Sequence, residues 1–391
     1  MDVKWWLENS PKFLKRVWRF IHPRDNHLIA YGGALDLFID NAKYLFIRNN
    51  ETLPEYKHVW LTNNDATIKK IRSLGFNVVR SSSKEGRKTL KKAGFVVFDD
   101  AIRNFADPEL SWGAKRIELW HGIHGKMSCR AHSENQPVYR VKDFLHDKIT
   151  DDHMHGDYCV LTSEYLRKIV SYTFGVPFER MISSPYPRNW ILTCSETQRT
   201  NFVKKYEDES VQELYDYLKN CSLFKIIYMP TFRDADRDYL SKGIPDWNRL
   251  NEVCRQANVV LYLKVHRITS LPNVAAFSNI KIIDNKVDVY TILSRFDMLI
   301  TDYSSVCFDF ALTKKSIVLY TYDKKEYMAK SRPLHQHFLD LMTRVTNVED
   351  FESLLDVILN KKDDIKPFPV DLYFDCPNDY DAVSRFIRRL D

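Results

Sequence analysis

The chain repeats one pattern: a short apolar run, a polar or glycine-containing corner, then apolar residues at helical spacing. In the first half such runs lie at 28–31, 58–62, 76–79, 95–98, 116–119 and 158–161, and each reads as a strand. Helical spacing follows over 66–74, 84–92 and 164–174. The alternation breaks at Pro185-Tyr186-Pro187-Arg188-Asn189 and restarts beyond it. There the pattern predicts helices over 196–220, 289–294, 306–312, 348–359 and 381–390. It predicts strands at 225–228, 259–264, 280–283, 298–300 and 316–320. Strands alternating with helices of this length predict an α/β fold of doubly wound parallel sheets. A boundary near residue 190 gives a Rossmann-like domain at 26–190 and a second at 191–370. Residues 371–391 supply a last helix, apolar at Val383, Phe386, Ile387 and Leu390, expected to pack back at a domain interface.

Residues 1–25 follow a different pattern. Ser10 and Pro11 read as an N-cap and first helical position. Phe13, Leu14, Val17, Trp18 and Ile21 then share one face, with Lys12, Lys15, Arg16 and Arg19 on the other. A basic amphipathic helix with tryptophans fits the headgroup region of an anionic membrane. The same pattern fits a helix docked on the first domain with its basic face in water.

Bulk properties narrow the classes. A chain of 391 residues exceeds one ordinary core, in keeping with two domains. The net charge of +6 permits anionic ligands or membrane contact without calling for nucleic acid. The seven cysteines form no C-x-x-C pair, so neither a zinc site nor a disulfide framework is indicated, and reduced thiols in the cytoplasm are the default. No apolar segment approaches the roughly 20 residues of a membrane span. The N-terminus lacks the apolar core of a signal peptide. Asp151, Asp152, His153 and His155 match no standard metal spacing and read as a solvated loop.

The chemistry-bearing residues gather at strand ends. In a parallel sheet all carboxyl ends lie on one edge, where ligands bind. The fifth run leads into Trp120-His121-Gly122-Ile123-His124-Gly125-Lys126. A histidine there can accept a proton near neutral pH, the glycine leaves room for an acceptor, and Lys126 can neutralise a phosphate. A structural loop histidine fits the same pattern. Arg188 is placed toward the interdomain cleft. Gly32-Gly33 lacks the G-x-G-x-x-G spacing of a dinucleotide fingerprint and reads as a tight turn or a close approach. In the second half, three corners carry Thr231/Arg233, His266/Arg267 and Ser304/Ser305. Asp302, Ser304 or Ser305 can simply cap the following helix. Free amides and the helix dipole make the same corner an anion seat. Two arginines, a histidine, hydroxyls and a helix N-terminus on one edge are what a diphosphate needs, and together they favour the seat.

Four stretches resemble the CDP-glycerol glycerophosphotransferases of teichoic-acid and capsule synthesis. They are W-H-G-I-H-G-K at 120–126, Y-M-P-T-F-R-D at 228–234, K-V-H-R at 264–267 and L-I-T-D-Y-S-S-V-C-F-D-F at 299–310, within a similarity running from 28 to 345. The resemblance implies the GT-B architecture, two Rossmann-like domains facing across a cleft. It implies a CDP-glycerol or CDP-ribitol donor held mainly by the second domain. The acceptor would be a lipid-linked saccharide or growing polyol-phosphate, met peripherally at the cytoplasmic face of the plasma membrane. On this resemblance His121 is the base, with Gly122, Lys126 and Arg188 on the acceptor side. His266 is a second catalytic residue, and it, Arg233, Thr231, Arg267, Ser304 and Ser305 surround the donor's diphosphate, with Asp302 organising the turn. Ile123-His124 stand where the family commonly has a Thr-Pro-like pair, and Arg267 stands in place of a proline. No carboxylate set for magnesium is evident, so transfer without a metal or other cofactor is expected. The alternative is a sugar transferase of the same architecture using a nucleotide-activated hexose, with Asp284 or Asp302 on its hydroxyls. A third reading is a non-catalytic anion-binding or membrane scaffold.

Overall fold

Strands buried on both faces need apolar runs without polar alternation. The chain supplies them: Ala93–Phe98, Val259–Leu263 and Met298–Thr301 are buried at every position. The computed structural model describes residues 22–100, 102, 105–128, 156–233, 238–265, 269, 276–285, 287–360, 365–376 and 378–391. The expected helix before residue 22, the 151–155 loop, His266 and Arg267 lie outside these residues.

Two α/β units are observed. Among the described residues, the first takes those up to His121, those from 156 to Trp190, and those from Phe374 onward. It runs β1 (Asp25–Gly32), α1 (Asp40–Thr52), β2 (Lys57–Thr62), α2 (Asp65–Ser73), β3 (Val78–Arg80), α3 (Lys84–Lys92), β4 (Ala93–Phe98), β5 (Lys115–Glu118), β6 (Tyr158–Leu161), α4 (Arg167–Phe174) and β7 (Met181–Ser183). Its seven strands are parallel in the order β3-β2-β1-β4-β5-β6-β7. Helix starts follow local chemistry: Asn64 accepts the Thr67 N–H at 3.1 Å, and Ser83 the Gly86 N–H at 3.0 Å. Gly33 serves a close approach within the protein, because a Cβ there would lie 2.3 Å from the Leu37 carbonyl and 2.8 Å from the Trp60 ring. The C-terminal helix Ala382–Leu390 belongs to this unit. Arg48 grips Asp381 through two bonds of 2.7 and 2.8 Å, and Ser384 donates to Asn49 at 2.6 Å.

The second unit holds Gly122–Ser128 and the described residues of Ile191–Tyr373. It contains α5 (Glu196–Tyr206), α6 (Glu209–Asn220), β8 (Phe224–Met229), α7 (Trp247–Gln256), β9 (Val259–Leu263), β10 (Ile280–Ile282), β11 (Met298–Thr301), α8 (Val306–Ala311), β12 (Ser316–Tyr320), α9 (Lys324–Lys330), α10 (Gln336–Arg344), β13 (Thr346–Val348) and α11 (Phe351–Asn360). The six strands are parallel, ordered β10-β9-β8-β11-β12-β13. Strand order reverses between β1 and β4 in one sheet and between β8 and β11 in the other, and a doubly wound sheet binds ligands at such a switch point. The helices expected over 196–220 are two, divided at Glu207-Asp208. No helix among the described residues is long and apolar enough to cross a membrane.

Candidate functional site

Register sets the site in the second unit. Met229 pairs with Thr301, and Tyr228 with Leu263, so β8, β9 and β11 end level on one edge. Asp302 follows β11 and is wholly buried. Its Oδ1 accepts the N–H groups of Thr231 (2.8 Å) and Tyr303 (2.5 Å), and its Oδ2 accepts Arg233 Nη2 at 2.9 Å. The Thr301 hydroxyl donates to the Met229 carbonyl at 2.6 Å. The corners after β8 and β11 are thereby one piece.

Arg233 lies at the centre of that piece and is 4% exposed. Its Nε and Nη2 donate to Asp323 at 2.7 and 3.1 Å, and its Nη1 to the Thr231 carbonyl. The rings of Tyr239, Tyr303 and Tyr327 lie 5.3, 5.1 and 4.7 Å from the guanidinium carbon. Tyr303 and Tyr327 stack at 3.8 Å, and the Tyr303 hydroxyl donates to Asp323 at 3.1 Å. Burial opposes the charge, but Asp302 and Asp323 outweigh it and raise the pKa above the ordinary arginine value. This corrects the sequence expectation for Arg233. Enclosed by two carboxylates and three rings, it shapes the corner instead of meeting a diphosphate. Asp302, expected to organise this turn, has both oxygens committed to Thr231, Tyr303 and Arg233.

Ser304 and Ser305 are half-buried just before α8. Ser305 holds the N-cap position without a side-chain cap bond, and Ser304 Oγ accepts the Val306 N–H only at 3.5 Å. The amides of Ser304 and Ser305 meet no acceptor among the described residues. Two amides and two hydroxyls therefore remain for an anion at the positive end of a helix. Thr231 is half-buried, with its N–H given to Asp302.

Lys264, the first residue past β9, is the cation that sequence reasoning passed over. Its position at a strand end was the available signal. Its Nζ donates to the Asp284 carbonyl at 2.7 Å. Burial pushes its pKa down to about 8, with Asp284 and Asp288 pulling the other way.

In the first unit, β5 runs into a strained corner. Trp120 has φ 59° and Gly122 φ 143°. The start of α1 holds this corner: Asn41 Nδ2 donates to the Trp120 carbonyl at 2.6 Å. Arg188 donates to Asp40 Oδ1 at 2.5 Å and to the His121 carbonyl at 2.9 Å. Arg188 was expected on the acceptor side, but it is 1% exposed. Its charge is met by Asp40, so it fixes the His121 backbone and presents nothing to an acceptor.

The His121 side chain is 44% exposed, its Nδ1 3.8 Å from Asp100 Oδ1. Its ring lies 4.1 Å from that of Trp120, which itself packs edge-on against Phe174 at 4.9 Å. Asp99 behind it is wholly buried and accepts the Ala42 N–H at 2.6 Å; burial and the nearby Asp40 charge raise its pKa well above the usual carboxylate range. An accessible imidazole beside a carboxylate, on a backbone held from within, can take up and pass on a proton. Asp100 was not singled out in the sequence, because adjacent aspartates after a strand carry no signal of their own.

The residues after His121 group with the second unit. Gly122 is buried there, and Lys126 is half-buried in an antiparallel bridge to Leu334. Ile123 and His124 are 2% and 5% exposed, so both side chains pack inside the unit.

Residues 16–367 match the family described as CDP-Glycerol:Poly(glycerophosphate) glycerophosphotransferase. The teichoic acid poly(glycerol phosphate) polymerase of Staphylococcus epidermidis is 24% identical over 82% of this chain and 43% of its own length. The teichoic acid poly(ribitol-phosphate) polymerase of Bacillus spizizenii is 23% identical over 83% of this chain and 52% of its own. The chain thus spans about half the length of these curated relatives. In fold it is similar to the wall teichoic acid polymerase TagF, solved as a histidine-to-asparagine variant with CDPG. That likeness has a TM-score of 0.73 at 19% identity and covers 96% of this chain and 93% of the other. With most of its length matched, the chain belongs to the CDP-glycerol:poly(glycerophosphate) glycerophosphotransferase family.

Proposed function

We propose that the protein transfers glycerol phosphate or ribitol phosphate from a CDP-activated donor to a hydroxyl of a lipid-linked saccharide or a growing polyol-phosphate chain, releasing CMP. The observation that carries this reading is the level edge of β8, β9 and β11. There two serine amides stand open to an anion beside the Asp302–Arg233–Asp323 core, and Lys264 ends β9 on the same edge. The acceptor hydroxyl attacks the phosphorus next to the polyol, a new P–O bond forms, and the P–O bond to CMP breaks. His121 takes the hydroxyl proton. Ser304, Ser305, Lys264 and His266 stabilise the charge on the transferring and leaving phosphates. Arg267 is the next residue in sequence after His266, and Gly122 and Lys126 belong to the loop that follows His121.

Transfer without a metal ion is part of the proposal. Its support is that two carboxylates at this edge, Asp302 and Asp323, are engaged by Arg233. Peripheral attachment to an anionic cytoplasmic membrane surface, where a lipid-linked acceptor would be met, is proposed as well.

A donor screen tests the reading. CDP-glycerol, CDP-ribitol and UDP-hexoses are offered with acceptor, with and without EDTA, and the released nucleotide is identified. CMP release from a CDP-polyol, unchanged by EDTA, is expected. UDP release would favour the sugar-transferase alternative, and CDP-polyol binding without any turnover would favour a scaffold.

Lys264 adds a pH signature. In the free protein it loses its proton as pH rises through about 8, and an anion bound beside it favours the protonated form. Donor affinity is therefore full below pH 8 and falls above it, by up to about tenfold per pH unit. Calorimetric Kd values for CDP-glycerol at pH 7 and pH 9 measure this, and Lys264→Gln should flatten the difference.

A further inference from the structure

The segment Pro333–Phe338 clamps the loop that continues from the candidate base. The Met127 N–H donates to the Pro333 carbonyl at 2.7 Å, and the His335 N–H to the Gly125 carbonyl at 2.9 Å. Lys126 and Leu334 form an antiparallel bridge. His337, 4% exposed, adds a side-chain bond: its Nε2 lies 2.6 Å from the His124 carbonyl. A carbonyl only accepts, so Nε2 carries the proton. The ring is boxed by His335, Phe308 and Tyr373, with centroids at 6.0, 6.0 and 5.8 Å. Gly125 lies so close to Phe338 that a Cβ would come within 2.6 Å of its ring. Helix α10 in turn packs through Phe338 on Phe308, in α8, the helix that starts beside Ser304 and Ser305. Within the second unit, one packed chain therefore runs from the anion seat to the loop 122–128. His121 is covalently joined to that loop, and its own carbonyl is held by Arg188.

Resting on the phosphotransferase reading, we propose that His337 is a positioning residue for the reaction. It holds the Gly122–Ser128 loop through the His124 carbonyl and so sets the backbone from which His121 acts. It touches neither substrate nor the reacting atoms. Its removal lowers turnover and leaves donor binding intact, because the anion seat keeps its own supports.

The test uses the full chain with His337→Phe, which keeps ring volume and removes the donor, and His337→Gln, whose amide nitrogen reaches a similar position. Gly125→Ala disturbs the same clamp from the loop side. For His337→Phe and Gly125→Ala, kcat for CMP release is expected to fall on the order of 10- to 100-fold, with the CDP-glycerol Kd within about twofold of wild type. His337→Gln should recover most of the loss. Hydrogen exchange of the Gly125 and Met127 amides should quicken in His337→Phe and return in His337→Gln. Turnover within about twofold of wild type in both His337→Phe and Gly125→Ala, or donor binding lost in step with turnover, overturns the proposal. If the wild-type chain releases no CMP, the phosphotransferase reading fails. The exchange result then decides the clamp alone, and unchanged exchange in His337→Phe overturns it.

Discussion

His121→Ala is expected to lower CMP release by roughly 10²- to 10⁴-fold, the usual worth of a positioned general base. The CDP-polyol Kd should stay within about twofold, because the proposed seat at Ser304, Ser305 and Lys264 draws nothing from His121. The imidazole is 44% exposed, with Asp100 at 3.8 Å, so truncation opens no cavity and stability should change little. Turnover assays paired with calorimetry measure both quantities. Equal loss of binding and turnover would make His121 structural.

The second large effect is on stability. Arg233→Met leaves Asp302 and Asp323 buried without their counter-charge, and breaking a buried pair from one side costs about 3–5 kcal/mol. Asp302 is wholly buried and the Asp323 side chain 9% exposed, so solvent does little to compensate. Urea unfolding should show the loss. Adding Asp302→Asn should recover part of it, since the neutral amide no longer needs the guanidinium. A variant that kept its stability while losing donor affinity would return Arg233 to direct contact with the diphosphate.

Most of the sheet framework was legible because its strands are apolar runs ended by polar corners. The strands at 158–161 and 316–320 fall where the pattern put them. Helix α1 was missed for a physical reason. Residues 41–47 are all buried, so no polar face marks the helical period, and Lys43 sits inside with its ammonium near the Phe38 and Tyr44 rings. Strands β7 and β13 have three residues each, too few to show alternation. At the site, sequence could name Thr231, Arg233, Asp302 and the serines, since strand ends on one edge follow from topology alone. It could not say which charges would be used internally. Arg233 and Arg188 look like ligand-binding arginines until their partners, Asp323 and Asp40, are seen, and those lie 90 and 148 residues away. Lys264 shows the converse: a lysine ending a strand is common, and only its burial beside Asp284 and Asp288 sets it apart.

The account's central claim is that a CDP-activated polyol phosphate is moved intact to an acceptor hydroxyl. Mass analysis of the acceptor after reaction with CDP-glycerol or CDP-ribitol, with CMP counted in the same sample, tests it most directly. The account predicts a gain of one polyol phosphate for each CMP released. A gain of a sugar, or nucleotide release with the acceptor unchanged, would contradict it.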